Sequence, residues 1–186
     1  MLKMNYRNTA QILRFARKFA ADVIGAPGVC ADNEDAILMP EDAGRQGVEP
    51  VVRKCVNYDG EAHAIAEWLL GRKAAGYQWG HMAVLYPRHY IGERFEQTFA
   101  KHGIPVDVAK SHHNRVETTR DAVRFLSMHN AKGLEFPCVA IGGLGALETE
   151  SIEDDVRLTY VAITRATHEA FITYSNMSEL VGRLVV

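Results

Sequence analysis

The chain has 186 residues, 47% hydrophobic and 24% charged, a balance that suits one folded domain and excludes a disordered one. Its formal charge of −2 gives no overall basic excess that would advertise a nucleic-acid partner, and leaves room only for a local patch. No run of about 18 apolar residues is present, and the opening Met1-Leu2-Lys3-Met4-Asn5-Tyr6-Arg7 lacks the apolar core of a signal peptide, so the expected location is cytoplasmic with no membrane partner.

In chain order, Ile12, Leu13, Ala16, Phe19, Ala20 and Val23 fall on one stripe at helical spacing, which predicts a helix over 12–24. Asn8 followed by Gln11 resembles a capping box at its start, and Ala26-Pro27-Gly28 ends it. Residues 25–50, rich in Gly, Pro, Asp and Glu, read as a loop with one short strand at Ala36 to Met39. Strands are then predicted over Val51 to Val56, Met82 to Tyr86, Val123 to Met128, Cys138 to Ile141 and Ala170 to Tyr174. Helices are predicted over Asp59 to Ala75, Ile91 to His102 and Arg157 to Ala166, with Gly103 past the end of the second. Continuously apolar strands alternating with helices imply an α/β domain: a parallel sheet covered by helices on both faces.

Such sheets often bind nucleotides at the carboxyl ends of their strands. Yet no Gly-Lys-Ser or Gly-Lys-Thr occurs, so there is no Walker A cradle, and no apolar strand ends in paired acids that would hold magnesium. Gly142-Gly143-Leu144-Gly145 follows a strand without meeting the GxGxxG pattern. The pair His112-His113 and His129 lack metal-ligand spacing and read as solvated loop residues. No G-x-S-x-G elbow supports a serine hydrolase. Arg14, Arg17 and Lys18 read as the wet face of the first helix. The three cysteines, Cys30, Cys55 and Cys138, are scattered without CxxC spacing and fit reduced thiols.

Three segments carry a sharper signal: Asn5-Tyr6-Arg7-Asn8-Thr9, the stretch Ser127-Met128-His129-Asn130-Ala131-Lys132-Gly133-Leu134-Glu135-Phe136, and Arg157 to Ala166 with its Tyr160-Val161-Ala162-Ile163-Thr164-Arg165-Ala166 string. Together and in this order they resemble motifs IV, V and VI of the UvrD/Rep-like superfamily 1 DNA helicases. The segments Met82 to Arg88 and His102 to Val106 are similar to what lies between motifs IV and V, so the resemblance runs from Asn5 to about Tyr174. It implies a RecA-like, P-loop NTPase-type domain without its own Walker A loop: the second of two motor domains, with ATP bound between them. The first RecA-like domain of the parent protein would then be its partner and would hold the Mg2+.

The resemblance also implies roles. Tyr6 would stack on adenine, and Arg7 and Arg165 would reach the γ-phosphate with charged, forked guanidinium groups. Glu135 would accept from the ribose hydroxyl, and Gly133 would permit close backbone approach. Ser127 and His129 would touch backbone phosphates of single-stranded DNA, contacts that position the strand without reading its sequence. Tyr160, Val161 and Ile163 are expected in the core. The sequence departs from the family pattern at Met4, where Gln is usual, at Asn8, where Ser or Thr is usual, and at Val156-Arg157, where paired arginines are usual. The isolated chain is expected to be inactive as an ATP hydrolase. Asp107 to Ala122 is expected to be a polar surface loop, so the chain forms a single domain over residues 1–186 without an accessory insertion. A stand-alone module that holds single-stranded DNA or a partner without hydrolysis, and a nuclease-helicase fusion branch of the same superfamily, fit the same residues.

Overall fold

Two strands explain the centre of the molecule. Met82–Tyr86 and Phe136–Ile141 are apolar along almost their whole length, a pattern tolerated only where both faces of a strand are covered. The computed structural model of the chain describes residues 4–5, 8–24, 41–42, 45–108 and 121–185. In chain order these form β1 (Met4–Asn5), α1 (Ala10–Ile24), β2 (Glu41–Asp42), β3 (Val51–Lys54), α2 (Tyr58–Ala74), β4 (Met82–Tyr86), α3 (His89–Lys101), β5 (Val106–Val108), β6 (Val123–Ser127), β7 (Phe136–Ile141), α4 (Ile152–Ile163), β8 (Ala166–Tyr174) and α5 (Glu179–Val185).

Six strands form one sheet in the order β3-β8-β7-β4-β6-β5, and every pairing in it is parallel. β1 and β2 make a separate two-stranded parallel ladder. Successive side chains of a strand point to opposite faces, and here each face has its own core. Ala83, Leu85, Val139, Ile141 and Ile172 pack with Ile12, Phe19, Val156 and Leu180 of α1, α4 and α5. Val84, Phe125, Ala140 and Phe171 pack with Ile65, Leu69, Phe95 and Phe99 of α2 and α3. The predicted α/β class is therefore the observed one, and Tyr160 and Ile163 are core residues with Val161 packed against them.

Several boundaries differ from expectation, each for a local reason. β3 stops at Lys54 because Asn57 caps α2: its side-chain oxygen accepts from the Gly60 N–H at 2.8 Å. α4 begins five residues earlier than predicted, at Ile152, where the Ser151 hydroxyl accepts from the Asp154 N–H and Glu153, Asp154 and Asp155 face the positive end of the helix. It ends at Ile163, so Arg165 lies in the turn after the helix rather than in it. Asp107 and Val108, expected in a loop, continue β5 beside β6. Residues 109–120 of that loop, including His112-His113, the predicted strand at Ala36 to Met39, and Cys30 lie outside the described residues, as do Tyr6 and Arg7. No helix among the described residues is long and apolar enough to cross a membrane.

Candidate functional site

Because all six strands run the same way, the sheet has one carboxyl end and one amino end, and the sequence-predicted residues divide between them. Ser127 closes β6 opposite Tyr86, at the carboxyl end. Arg165 and Glu135 immediately precede Ala166 and Phe136, which pair where β8 and β7 begin, at the amino end. The segment from Met128 to Glu135 runs from one end to the other. Met128 and Ala131, both buried, fasten it to the core.

At the amino end, Arg165 is held by backbone oxygens. Its Nε donates to the Val161 carbonyl and its Nη1 to the Leu134 carbonyl, both at 3.1 Å. Its own carbonyl accepts from the Phe136 N–H at 2.9 Å. Two of the residues bonded to Arg165, Leu134 and Phe136, flank Glu135 in the chain, which brings the second and third motif segments together. Glu135 itself is exposed. Two guanidinium groups stand near the Tyr160 hydroxyl: burial pushes its pKa up, and the charges of Arg17 and Arg165 pull it back.

Gly133 has a conformational reason to be glycine. Its φ is +83°, in the left-handed region that side-chain-bearing residues avoid, and no described atom lies within 4 Å of where a Cβ would stand. The backbone conformation by itself calls for glycine here.

The first motif segment reaches the same place through Asn8. This side chain, 3% exposed, donates from Nδ2 to the Thr164 carbonyl at 2.8 Å and to the Ala166 carbonyl at 2.5 Å. The expected capping box is therefore not formed on the Gln11 side: Gln11 Oε1 accepts from the Gly47 N–H and its Nε2 donates to Gln46, each at 2.8 Å. Gly47 must be small, since a Cβ there would fall 2.4 Å from the Thr9 methyl. Farther along β8, His168 lies 2.5 Å from Arg45 Nη2, and burial followed by the Arg45 charge pushes its pKa down. Glu169 pairs with Arg72.

At the carboxyl end, Ser127 is half-buried and its hydroxyl accepts from the Asn130 N–H at 3.3 Å, capping the short turn that carries His129. A hydroxyl that accepts one bond still has its own proton to donate. His129 is exposed. Both therefore stand where a ligand lying across this end could meet them.

Sequence reading missed Glu61. It is fully buried on α2, and its carboxylate accepts from the Gly143 N–H at 2.7 Å, the Thr173 hydroxyl at 2.7 Å and the Ser175 hydroxyl at 2.6 Å. The signal was available: Glu61 precedes Ile65 and Leu69 by one and two helical turns, so it belongs to the apolar stripe. The Gly142-Gly143-Leu144-Gly145 loop is explained by the same neighbourhood. A Cβ at Gly142 would fall 2.3 Å from Phe95, and one at Gly145 would fall 2.3 Å from the Asn176 carbonyl oxygen. Among the described residues, no group of three or more His, Cys, Asp or Glu side chains is placed to hold a metal ion.

Comparison with known proteins fits this arrangement. The chain is similar to the ATP-dependent DNA helicase PcrA of Bacillus subtilis, 40% identical over 73 residues, which are 34% of this chain and 10% of that protein. It is similar to DNA helicase II of Escherichia coli, 36% identical over 80 residues, 38% of this chain and 11% of that one. The ATP-dependent DNA helicase Rep of Buchnera aphidicola is 35% identical over 80 residues, 39% of this chain and 12% of that protein. The matches thus span about a tenth of these curated relatives. A solved C-terminal domain of a possible DNA helicase from Lactobacillus plantarum has the same fold, with a TM-score of 0.70 at 20% identity over 97% of this chain and 94% of that one. The sequence also matches the description of the UvrD-like helicase C-terminal domain over residues 1–115 and 108–177. On that match and on this RecA-like parallel sheet, the chain belongs to the UvrD-like helicase C-terminal domain family.

Proposed function

We propose that this chain is the second motor domain of an ATP-dependent DNA helicase, and that its amino end faces ATP held by a first RecA-like domain of the parent protein. The observation that carries the reading is the convergence of the three motif segments on Arg165: Leu134 beside Glu135, Val161 on α4, and Asn8 next in the chain after Arg7. A guanidinium is charged at any physiological pH, and its fork of N–H donors suits phosphate oxygens. In this role Arg165 stabilises the charge that spreads over the transferring phosphoryl group, with Arg7 beside it. Glu135 accepts from the ribose, and Tyr6 stacks on the base. The magnesium that accompanies ATP falls to the first domain, whose acidic ligands this chain does not supply. Ser127 and His129 touch the phosphates of single-stranded DNA at the other end of the sheet.

The test is Arg165→Ala in the full-length parent protein. DNA-stimulated turnover is expected to fall by about 10³-fold, the scale of removing an arginine finger, with ATP binding largely retained. Near-normal turnover and unwinding by that variant would refute the assignment and favour a module that holds DNA or a partner without hydrolysis.

A further inference from the structure

Asn8 bonds to the two carbonyls on either side of Arg165, and no other described side chain does so. The Thr164 carbonyl is one of the oxygens left without an in-helix partner where α4 ends, and such oxygens must find donors elsewhere when buried. The Ala166 carbonyl belongs to the first residue of β8. One amide nitrogen carries two N–H donors and can satisfy both oxygens at once, whereas a serine or threonine hydroxyl offers one donor and a carboxylate none. Since Val161 and Leu134 fix the guanidinium while Asn8 fixes the backbone before and after it, neither part of Arg165 is set by a single contact.

We propose that Asn8 is a positioning residue for Arg165: its amide clamps the turn between α4 and β8 so that the guanidinium is presented in one place. This rests on the proposed role of Arg165. It assigns the residue after Tyr6-Arg7 a function of its own, mechanical rather than phosphate-binding, and it explains why an amide serves here. A displacement of about 1 Å in a catalytic group can cost on the order of 10²-fold in rate, which sets the expected size of the effect.

The experiment uses the full-length parent protein with saturating single-stranded DNA. Asn8→Asp keeps the shape and removes both donors; kcat is expected to fall about 10²-fold while the dissociation constant for ATP changes by less than about threefold. Asn8→Ser, which keeps one donor, is expected to fall in between and covers the case in which the aspartate variant does not fold. The double variant Asn8→Asp/Arg165→Ala is expected to be no slower than Arg165→Ala alone, because a residue that acts only through Arg165 has nothing left to position. If Arg165→Ala is slow but Asn8→Asp turns over normally, or if the two losses multiply, the inference falls while the reading of Arg165 stands. If Arg165→Ala itself turns over normally, the reading of Arg165 falls, and the inference with it.

Discussion

The two ends of the sheet solve opposite electrostatic problems. At the carboxyl end, a buried anion, Glu61, is surrounded by donors from three other places in the chain and is wholly consumed inside the fold. At the amino end, the half-buried guanidinium of Arg165 donates to two backbone carbonyls. Ligands of α/β sheets are usually found at the carboxyl end. Here the glycine-rich loop at that end donates inward to a protein carboxylate. The contrast teaches that one parallel sheet can enclose a carboxylate among its own donors at one end and hold a guanidinium on backbone carbonyls at the other.

The sharpest way to break this comparison is to remove each charge and read both stability and turnover. If Arg165 acts as proposed, Arg165→Ala in the parent protein is expected to cost turnover far more than stability, about 10³-fold against roughly 1 kcal/mol. Glu61→Ala should do the reverse. It strips the acceptor from Gly143 and Thr173 and is expected to lower unfolding free energy by about 3 kcal/mol, or roughly 6–12 °C in melting temperature. Thermal melts that rank the two variants the other way would dissolve the distinction between a presented charge and a consumed one.

Gly133→Ala tests the amino end more gently. At a φ of +83°, an added methyl costs about 1–2 kcal/mol through backbone strain alone, since space is open around it. Urea unfolding should show that loss with an unchanged m-value. A neutral or stabilising result would mean that the turn after Lys132 relaxes freely.

The two thiols among the described residues give the smallest and most local readout. Cys138, near the amino end of β7, is fully buried, and burial followed by the charge of Glu169 pushes its pKa up to about 12. Cys55, just past β3 at the other end, is only half-buried, and burial followed by the charge of Glu61 raises its pKa less decisively. At pH 8, Cys55 should react slowly with a thiol reagent and Cys138 not at all until the protein unfolds. The linkage has a definite sign: an unfolded thiol releases its proton near the ordinary value of 9.0, whereas folded Cys138 keeps it until about 12. Stability should therefore be unaffected by this group below pH 9 and decline as pH rises above it. Equal labelling rates for the two residues would contradict the packing around β7.

Much of this was legible in the sequence because it rests on local pattern. The apolar runs of β4 and β7 announced a covered parallel sheet, and the Ala131 to Phe136 and Tyr160 to Ala166 strings announced the site segments. What was not legible depends on partners distant in the chain. Asn8 looked like a helix cap because capping is a local rule, but its oxygen acceptors lie more than 150 residues away. Glu61 drew no notice because its three donors lie distant in the chain, just past β7 and at the end of β8. The left-handed backbone angle of Gly133 has no local sequence signal beyond the glycine itself. β5 was overlooked because Val106–Val108 is too short to show a period.

The Glu61–Gly143 bond also restricts what this domain could become. A lysine and a hydroxyl residue placed after Gly143 would not recreate a triphosphate cradle, because the N–H that would greet the phosphate already serves a carboxylate of the same chain. Removing that carboxylate would strand the hydroxyls of Thr173 and Ser175, and widening the loop would press on Phe95 and Ile91. Several changes would have to arrive together, each harmful alone. The absence of a phosphate cradle after β7 is in that sense locked in by the packing of this domain.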